Sequence, residues 1–363
     1  MLNIAVFFGG KSVEHDVSII TGRQVLNNID STKYNVFPIY IDKTNKWWTG
    51  NDLDLQQTYL PFVEKKHKRI SIISGENVLI VKSGLKQKKI KIDCAFNCCH
   101  GTYGEDGNLQ GLLNCLSIPF TGSDTLASSI CMNKIIMKRL FERYNFPIPK
   151  YICLNREHIM DYENIKLKFP LIVKPANLGS SIGISRVDNK EELFKALETA
   201  FHFDGEVIIE EAVQNLREIN CSVQKIKDEI VTSDLEEPVS WEKFLSFDDK
   251  YVQKGKKSGQ KRKINVKIGK RLENKIRNIS KMCYEHFNLS GVIRIDFLLD
   301  DLKKELFINE INTIPGSMAF YLWKGKEISF RKLIDLQIEQ ALLKEKQKSL
   351  NQTEFKSNIL SQN

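Results

Sequence analysis

The sequence predicts an α/β protein of two or three domains that opens on a doubly wound unit. Three observations carry this. Residues 2 to 8 form an apolar run that stops at Gly9-Gly10, and helical apolar spacing follows from Ile19 to Ile29, giving strand, glycine turn and helix. Two apolar runs, 292 to 299 and 305 to 311, flank the charged turn Asp300-Asp301-Leu302-Lys303 and read as an antiparallel hairpin. A chain of 363 residues is also too long for a single small core.

An apolar share of 42% and a charged share of 27% are those of a soluble globular protein. No run of about 18 apolar residues occurs, so neither a membrane span nor a signal peptide is expected. The eight cysteines sit mostly in apolar segments without paired metal-ligand spacing, which predicts buried free thiols and a cytoplasmic, reducing location. Cys98-Cys99-His100 ends a strand pattern and is not read as a metal site. The formal charge of +9 is spread out, densest at 254 to 270 and 82 to 91. That distribution suits a small anionic ligand, and neither nucleic acid nor a membrane is expected as a partner.

In the opening unit, the helix after Gly9-Gly10 presents free N–H groups, but the glycine pattern of a dinucleotide site is incomplete. Glu14 and His15 lie where such a turn places functional groups; an ordinary first-turn acid favoured by the helix dipole is the competing account of Glu14. Val36 to Ile41 reads as a second strand, and Ile90 to Cys98 as another that feeds the loop His100 to Gly111. Four glycines there, interleaved with Glu105, Asp106 and Gln110, predict a tightly folded loop. Leu126 to Tyr144 reads as one helix carrying Lys134 and Lys138, and Pro147 and Pro149 break the chain after it.

Next, a strand carries Lys174 into Gly179-Ser-Ser-Ile-Gly183 and a short strand returns. Such a turn lets backbone approach a phosphate chain, with Ser180 and Ser181 as donors, although a plain hairpin has the same pattern. The Lys precedes the glycines, so no Walker motif is satisfied. Glu206 to Val213 and Arg217 to Val223 read as further strands, with the edge at Glu210 to Val213 able to offer backbone groups to a base and Glu218 a carboxylate to hydroxyls. On the C-terminal hairpin, Glu310 and Asn312 leave one face, and Asp296 joins them only if the register pairs it near Ile308 or Glu310. Two carboxylates and an amide carbonyl are hard oxygen donors of the kind Mg²⁺ prefers; acids facing solvent or paired with Lys303 and Lys304 are the alternative. The last helical pattern, Ile328 to Lys346, is expected to pack on the last domain, with 347 to 363 a frayed tail.

Taken together the chain resembles the D-alanine–D-alanine ligases of the ATP-grasp superfamily, from Asn3 to about Trp323. The resemblance is carried by Phe8-Gly-Gly-Lys-Ser-Val-Glu-His-Asp-Val-Ser18, His100-Gly-Thr-Tyr-Gly-Glu-Asp-Gly-Asn-Leu-Gln-Gly-Leu-Leu113, Pro119-Phe-Thr-Gly-Ser123, Lys174-Pro-Ala-Asn-Leu-Gly-Ser-Ser-Ile-Gly183 and Asn309-Glu-Ile-Asn-Thr-Ile-Pro-Gly316. It implies an ATP-grasp fold: an N-terminal doubly wound α/β domain (1–123), a small central α+β domain (124–213) and a C-terminal α+β domain (214–346) with a mobile lid (241–264). It also implies ATP and Mg²⁺ or Mn²⁺ as cofactors, D-alanine as substrate, a cytoplasmic homodimer, and a product used for peptidoglycan precursors.

By the same resemblance Lys134, Lys174 and Lys250 contact ATP phosphates together with Ser180 and Ser181. Glu210, Glu211, Ala212 and Val213 hold the adenine, Glu218 the ribose, and Asp296, Glu310 and Asn312 the metal. Glu14 anchors the ammonium of the first D-alanine, and His100 faces the substrates. Arg294 and the Gly316 N–H stabilise the tetrahedral oxyanion, and Tyr251 closes over Ser180 and Glu14. The basic continuation of the lid, Lys254 to Lys263, is richer in lysine and glycine than the family pattern and reads as a solvated segment. One departure stands out: where the family has Ser followed by Leu to grip the second substrate's carboxylate, this chain has Tyr321-Leu322. D-Serine, D-lactate or some other amine acceptor therefore stay open, as does a catalytically silent ATP-binding protein.

Overall fold

A computed structural model describes residues 1–73, 76–84, 86–157, 165–238 and 262–352. Three sheets organise them. The first has seven strands: β1 (Leu2–Gly9), β2 (Tyr34–Ile41), β3 (Trp47–Thr49), β4 (Lys68–Ile73), β5 (Val78–Ser83), β6 (Lys86–Lys91) and β7 (Cys94–Asn97), in the order β6-β5-β4-β3-β2-β1-β7. β1 lies parallel to both β2 and β7, while β3 to β6 extend the sheet as an antiparallel meander. Helix α1 (His15–Leu26) covers one face and α2 (Asn108–Cys115) the other. Alternate residues of β1 serve the two layers, Ile4, Val6 and Phe8 on one side and Ala5 and Phe7 on the other. A strand buried on both faces has to be apolar throughout, which is why residues 4 to 8 carry no polar side chain.

The expected strand 90–98 is two strands. The Ile92 N–H donates to the Asn77 carbonyl (2.7 Å), whereas the Asp93 N–H donates to the Asn3 carbonyl (2.9 Å), so the chain leaves the β5 edge and crosses to the β1 edge within one apolar run. The expected helix 126–144 is likewise divided, into α3 (Thr125–Met132) and α4 (Lys134–Arg143). Asn133 is extended there, and its side chain accepts from the Ile136 N–H (2.9 Å), capping α4.

The second sheet contains β8 (Tyr151–Asn155), β9 (Leu171–Pro175), β10 (Ser185–Val187) and β11 (Glu206–Glu211) in the order β10-β9-β11-β8, with α5 (Lys190–Phe203) packed against it. The third contains β12 (Leu216–Ile226), β13 (Glu229–Pro238), β14 (Arg262–Ile264), β15 (Ile293–Asp300) and β16 (Glu305–Asn312) in the order β14-β13-β12-β15-β16. Its core is shared with α6 (Lys270–His286) and with the apolar faces of α3 and α4.

After β16 a 3-10 segment, Gly316–Lys326, leads to α7 (Phe330–Lys348), capped by the Ser329 hydroxyl (3.2 Å). This helix does not pack on the last domain alone. Leu333, Ile334, Ile338 and Ala341 share a cluster with Ile4, Val6 and Phe8 of β1 and with Cys94 and Phe96 of β7. Lys33 reaches the buried Asp335 of this helix at 2.7 Å.

Candidate active site

The C-terminal hairpin resolves the register that pattern alone left open. Asp296 stands opposite Glu310, and Arg294 opposite Asn312. The next pair is Phe297 with Ile308, so Asn309 is the extra residue of a β-bulge. Burial records the same slip: Leu306, Ile308 and Ile311 are all buried, although the last interval is three residues and not two. Arg294 donates through Nε and Nη2 to the two oxygens of Asp296, each at 2.7 Å, and Asn312 Nδ2 donates to Asp296 Oδ2 at 3.1 Å. Asp296 thus joins Glu310 and Asn312 on one half-buried face, the register condition being met, and Arg294 shares that face.

Lys134 of α4 and Lys174 of the second sheet approach that face, with Lys138 of α4 behind them. The break at Asn133 starts α4 at Lys134, whose backbone N–H donates to the Ala176 carbonyl (2.9 Å). Its Nζ donates to the Leu178 carbonyl and lies 3.9 Å from Glu310 Oε2. Lys174, on β9, sits across from Ile208 of β11, and Glu210 two residues further leaves the same face. Lys174 Nζ is 2.6 Å from Glu210 Oε2 and donates to Asn309 Oδ1 at 3.1 Å, so the bulge residue is aimed at the lysine. Lys138, one turn along α4 from Lys134, completes the group at 2.8 Å from Glu210 Oε1. Burial would push the Glu210 carboxyl up, but the Lys138 and Lys174 ammonium groups hold it down to about 2. Burial also lowers the pKa of Lys134 and of Lys138.

Glu14 marks the opposite end. It is buried at the start of α1, and the Ser180 hydroxyl donates to its Oε1. Both neighbouring turns pass close to it: a Cβ on Gly101 or on Gly179 would stand 2.7 Å from Glu14 Oε2, and Gly101 also takes φ 71°. Ser180 and Ser181 themselves take left-handed backbone, at φ 53° and 60°. His100 shares its Nε2 with Thr21 Oγ1 (2.8 Å), and burial together with the Arg294 charge pushes its pKa down to about 4, so the ring is neutral. Thr21 Oγ1 also accepts from the Ser317 N–H (3.1 Å), which brings the segment opened by Gly316 next to His100.

Glu105, from the glycine-rich loop, accepts from the Ile314 N–H (2.8 Å) and the Thr313 hydroxyl (3.3 Å). It thereby ties the first sheet to the turn after β16. Burial and the nearby Glu14 charge push its carboxyl up to about 7. Glu105, Lys138 and Asn309 were not singled out as site residues from the sequence. Only Lys138 carried a signal, its four-residue spacing from Lys134 on a helix.

Tyr321 is close enough to Arg294 for their charges to interact. Its hydroxyl donates to Glu236 Oε2 (3.1 Å), and the Arg262 guanidinium sits 4.0 Å over its ring. Leu322 is fully buried. Along β11 the N–H groups of Glu211 and Ala212 already donate to the carbonyls of Lys150 and Pro170, both at 2.9 Å, and Val213 follows the strand's end. Glu218 is on β12 opposite Leu298. Lys250, Tyr251 and all but the last three residues of the segment 241–264 lie outside the described residues.

Comparison with known proteins gives the family. Residues 3–123 match the family model described as D-ala D-ala ligase N-terminus, and residues 140–339 that described as D-ala D-ala ligase C-terminus. A D-alanine–D-alanine ligase of Thermosipho melanesiensis is 41% identical over 356 residues, covering 96% of this chain and 96% of that one. Among solved structures, the D-alanine–D-alanine ligase of Coxiella burnetii matches with a TM-score of 0.81 at 26% identity, over 96% of each chain. The enzyme of Bacillus anthracis, complexed with ATP, matches with a TM-score of 0.71 at 28% identity, over 96% of this chain and 100% of that one. The fold is ATP-grasp, and the chain belongs to the D-alanine–D-alanine ligase family.

Proposed function

We propose that the protein joins two D-alanines at the expense of ATP through an acylphosphate, to supply peptidoglycan precursors. One observation carries the reading. Lys134 approaches the acidic face at Glu310 and also donates to the Leu178 carbonyl, next to the Gly179-Ser180 turn that touches Glu14. An unbroken line of contacts therefore joins the nucleotide end of the site to the substrate end.

In this reading Lys134 and Lys174 hold the phosphates, with Lys250 and the Gly179 to Gly183 turn, and Ser180 and Ser181 donate to phosphate oxygens. The adenine lies along Glu210 to Val213. Because the Glu211 and Ala212 N–H groups are engaged, the carbonyl groups there and the Val213 backbone are the contacts left to it. Glu218 takes the ribose. The hard oxygen donors Asp296, Glu310 and Asn312 suit Mg²⁺ or Mn²⁺, and such an ion would neutralise charge on the transferring phosphoryl group.

Glu14 holds the first substrate's ammonium, leaving its carboxylate to receive the γ-phosphoryl group. The amine of the second D-alanine then attacks the acyl carbon and phosphate leaves. Arg294 and the Gly316 N–H face the oxyanion, with neutral His100 beside them. Tyr251 closes the site over Ser180, and Tyr321 and Leu322 line the acceptor end. The same reading makes the enzyme a cytoplasmic homodimer; among the described residues no helix is long and apolar enough to cross a membrane.

Phosphate release with ATP, Mg²⁺ and D-alanine tests the assignment, with D-serine and D-lactate as competing acceptors. D-Alanyl-D-alanine as the main product is the expected result. Release only with another acceptor, or none at all, would refute it.

A further inference from the structure

Lys138 has no direct path to a ligand. Its side chain is 1% exposed and lies behind Glu210, itself 2% exposed, whereas Lys174 on the other side of that carboxylate is 7% exposed. A lysine buried this deeply is expensive to keep unless a specific partner needs it. Its partner is Glu210, through Oε1, while Oε2 holds Lys174.

We propose that Lys138 is a positioning residue for the nucleotide site: it shares the Glu210 carboxylate so that Lys174 is free to turn from Glu210 to the triphosphate. The proposal rests on the ATP reading above and adds to it a residue that touches no substrate.

The argument is one of local charge. Two ammonium groups, on Lys138 and Lys174, share one carboxylate, on Glu210. One positive charge is in excess and available to an incoming polyanion. Without Lys138 the cluster is neutral, and Lys174 becomes the single counter-ion of a carboxylate out of reach of water. A charge in that position is held tightly, because releasing it strands the buried partner. Lys174 already divides its donors between Glu210 and Asn309 Oδ1, an amide carbonyl on the neighbouring sheet, so its ammonium lies toward the acidic face and has only a short turn to make. Glu210 is the pivot: the ladder fixes it opposite Ile172 on one side and Tyr151 on the other.

The test is a double-mutant cycle on the full chain, read as ATP affinity by calorimetric titration with Mg²⁺ present and D-alanine absent. Lys138→Met is expected to weaken ATP binding about tenfold, equivalent to about 1.4 kcal/mol, with the KM for D-alanine unchanged. Lys138→Arg, which keeps the charge, is expected to restore most of the loss. In a Lys174→Met background the Lys138→Met change is expected to cost nothing further, because the residue acts through Lys174. Additive losses would overturn the proposal, as would a Lys138→Met protein that binds ATP like the native chain or loses ATP and D-alanine together.

Should Lys138→Met not fold, Lys138→Gln replaces it in the cycle, since a neutral donor still hydrogen-bonds the buried Glu210 carboxylate while the charge is gone. Additivity with Lys174→Met again overturns the idea. The ATP reading itself fails separately, if Lys174→Met alone leaves ATP binding intact.

Discussion

Asp296 and Glu310 face each other across the β15–β16 ladder, and the pair that follows, Phe297 with Ile308, leaves Asn309 out of register. That single extra residue keeps Ile308 and Ile311 in the core while Glu310 and Asn312 stay on the site face. It also delivers Asn309 to Lys174.

Glu310→Gln keeps the shape of this face and removes one charge. Phosphate release with D-alanine is expected to fall about a hundredfold or more, as for loss of a metal-site group, with the thermal transition unchanged. Turnover like that of the native chain would show that Glu310 is not a metal ligand.

Gly179→Ala sets a Cβ 2.7 Å from Glu14 Oε2, closer than the carboxylate can accept without moving. The KM for D-alanine at the first site is expected to rise about tenfold, equivalent to about 1.4 kcal/mol, more than the KM for ATP. Initial-rate kinetics that show the reverse split would dissociate Glu14 from the first substrate.

Gly22, on α1, lies against Phe8, and a Cβ there would come 2.4 Å from the Phe8 Cβ and Cγ. Alanine gains about 1 kcal/mol in helix propensity over glycine, but overpacking costs about 1–3 kcal/mol and Phe8 is fully buried. A net loss of stability is expected for Gly22→Ala in urea denaturation. A stabilised variant would mean that α1 moves away from the sheet at little cost.

Glu105 makes stability depend on pH. Its folded pKa is about 7 against an ordinary 4.5, raised by burial and by the Glu14 charge. Between those values the folded chain binds the proton more tightly than the unfolded one, so this contribution is whole below about 4.5 and is lost as pH rises to about 7. Glu105→Gln is expected to remove that decline, seen as a flatter pH profile of the denaturation midpoint relative to the native chain. Identical slopes for the two proteins would rule out this titration.

Tyr321→Ser removes the hydroxyl that donates to Glu236 and the ring beneath Arg262. The acceptor KM is expected to change more than the ATP KM in steady-state kinetics. Equal changes would place Tyr321 outside the acceptor end.

Much of this was legible in the sequence, because it depends on local pattern. The opening strand, turn and helix, the Lys174 hairpin and the β15–β16 pair all follow from apolar periodicity broken by glycine or charge. The misreadings share a different cause, namely that one apolar run served two partners. Residues 90 to 98 change sheet edge at Ile92-Asp93, residues 125 to 143 change axis at Asn133, and α7 turns its apolar face to the first sheet. Periodicity reports that a face is buried and not what buries it. The Asn309 bulge and the Lys138–Glu210 pair depend on contacts between elements far apart in the chain, for which no local spacing speaks.

The docking of α7 on β1 and β7 has a bearing on biosynthesis. The strand β1 is synthesised long before Leu333 to Ala341, which cover part of its outer layer. Until α7 is made, α1 covers only part of that layer and the rest lies open to solvent, and it is there that a nascent-chain chaperone would be needed.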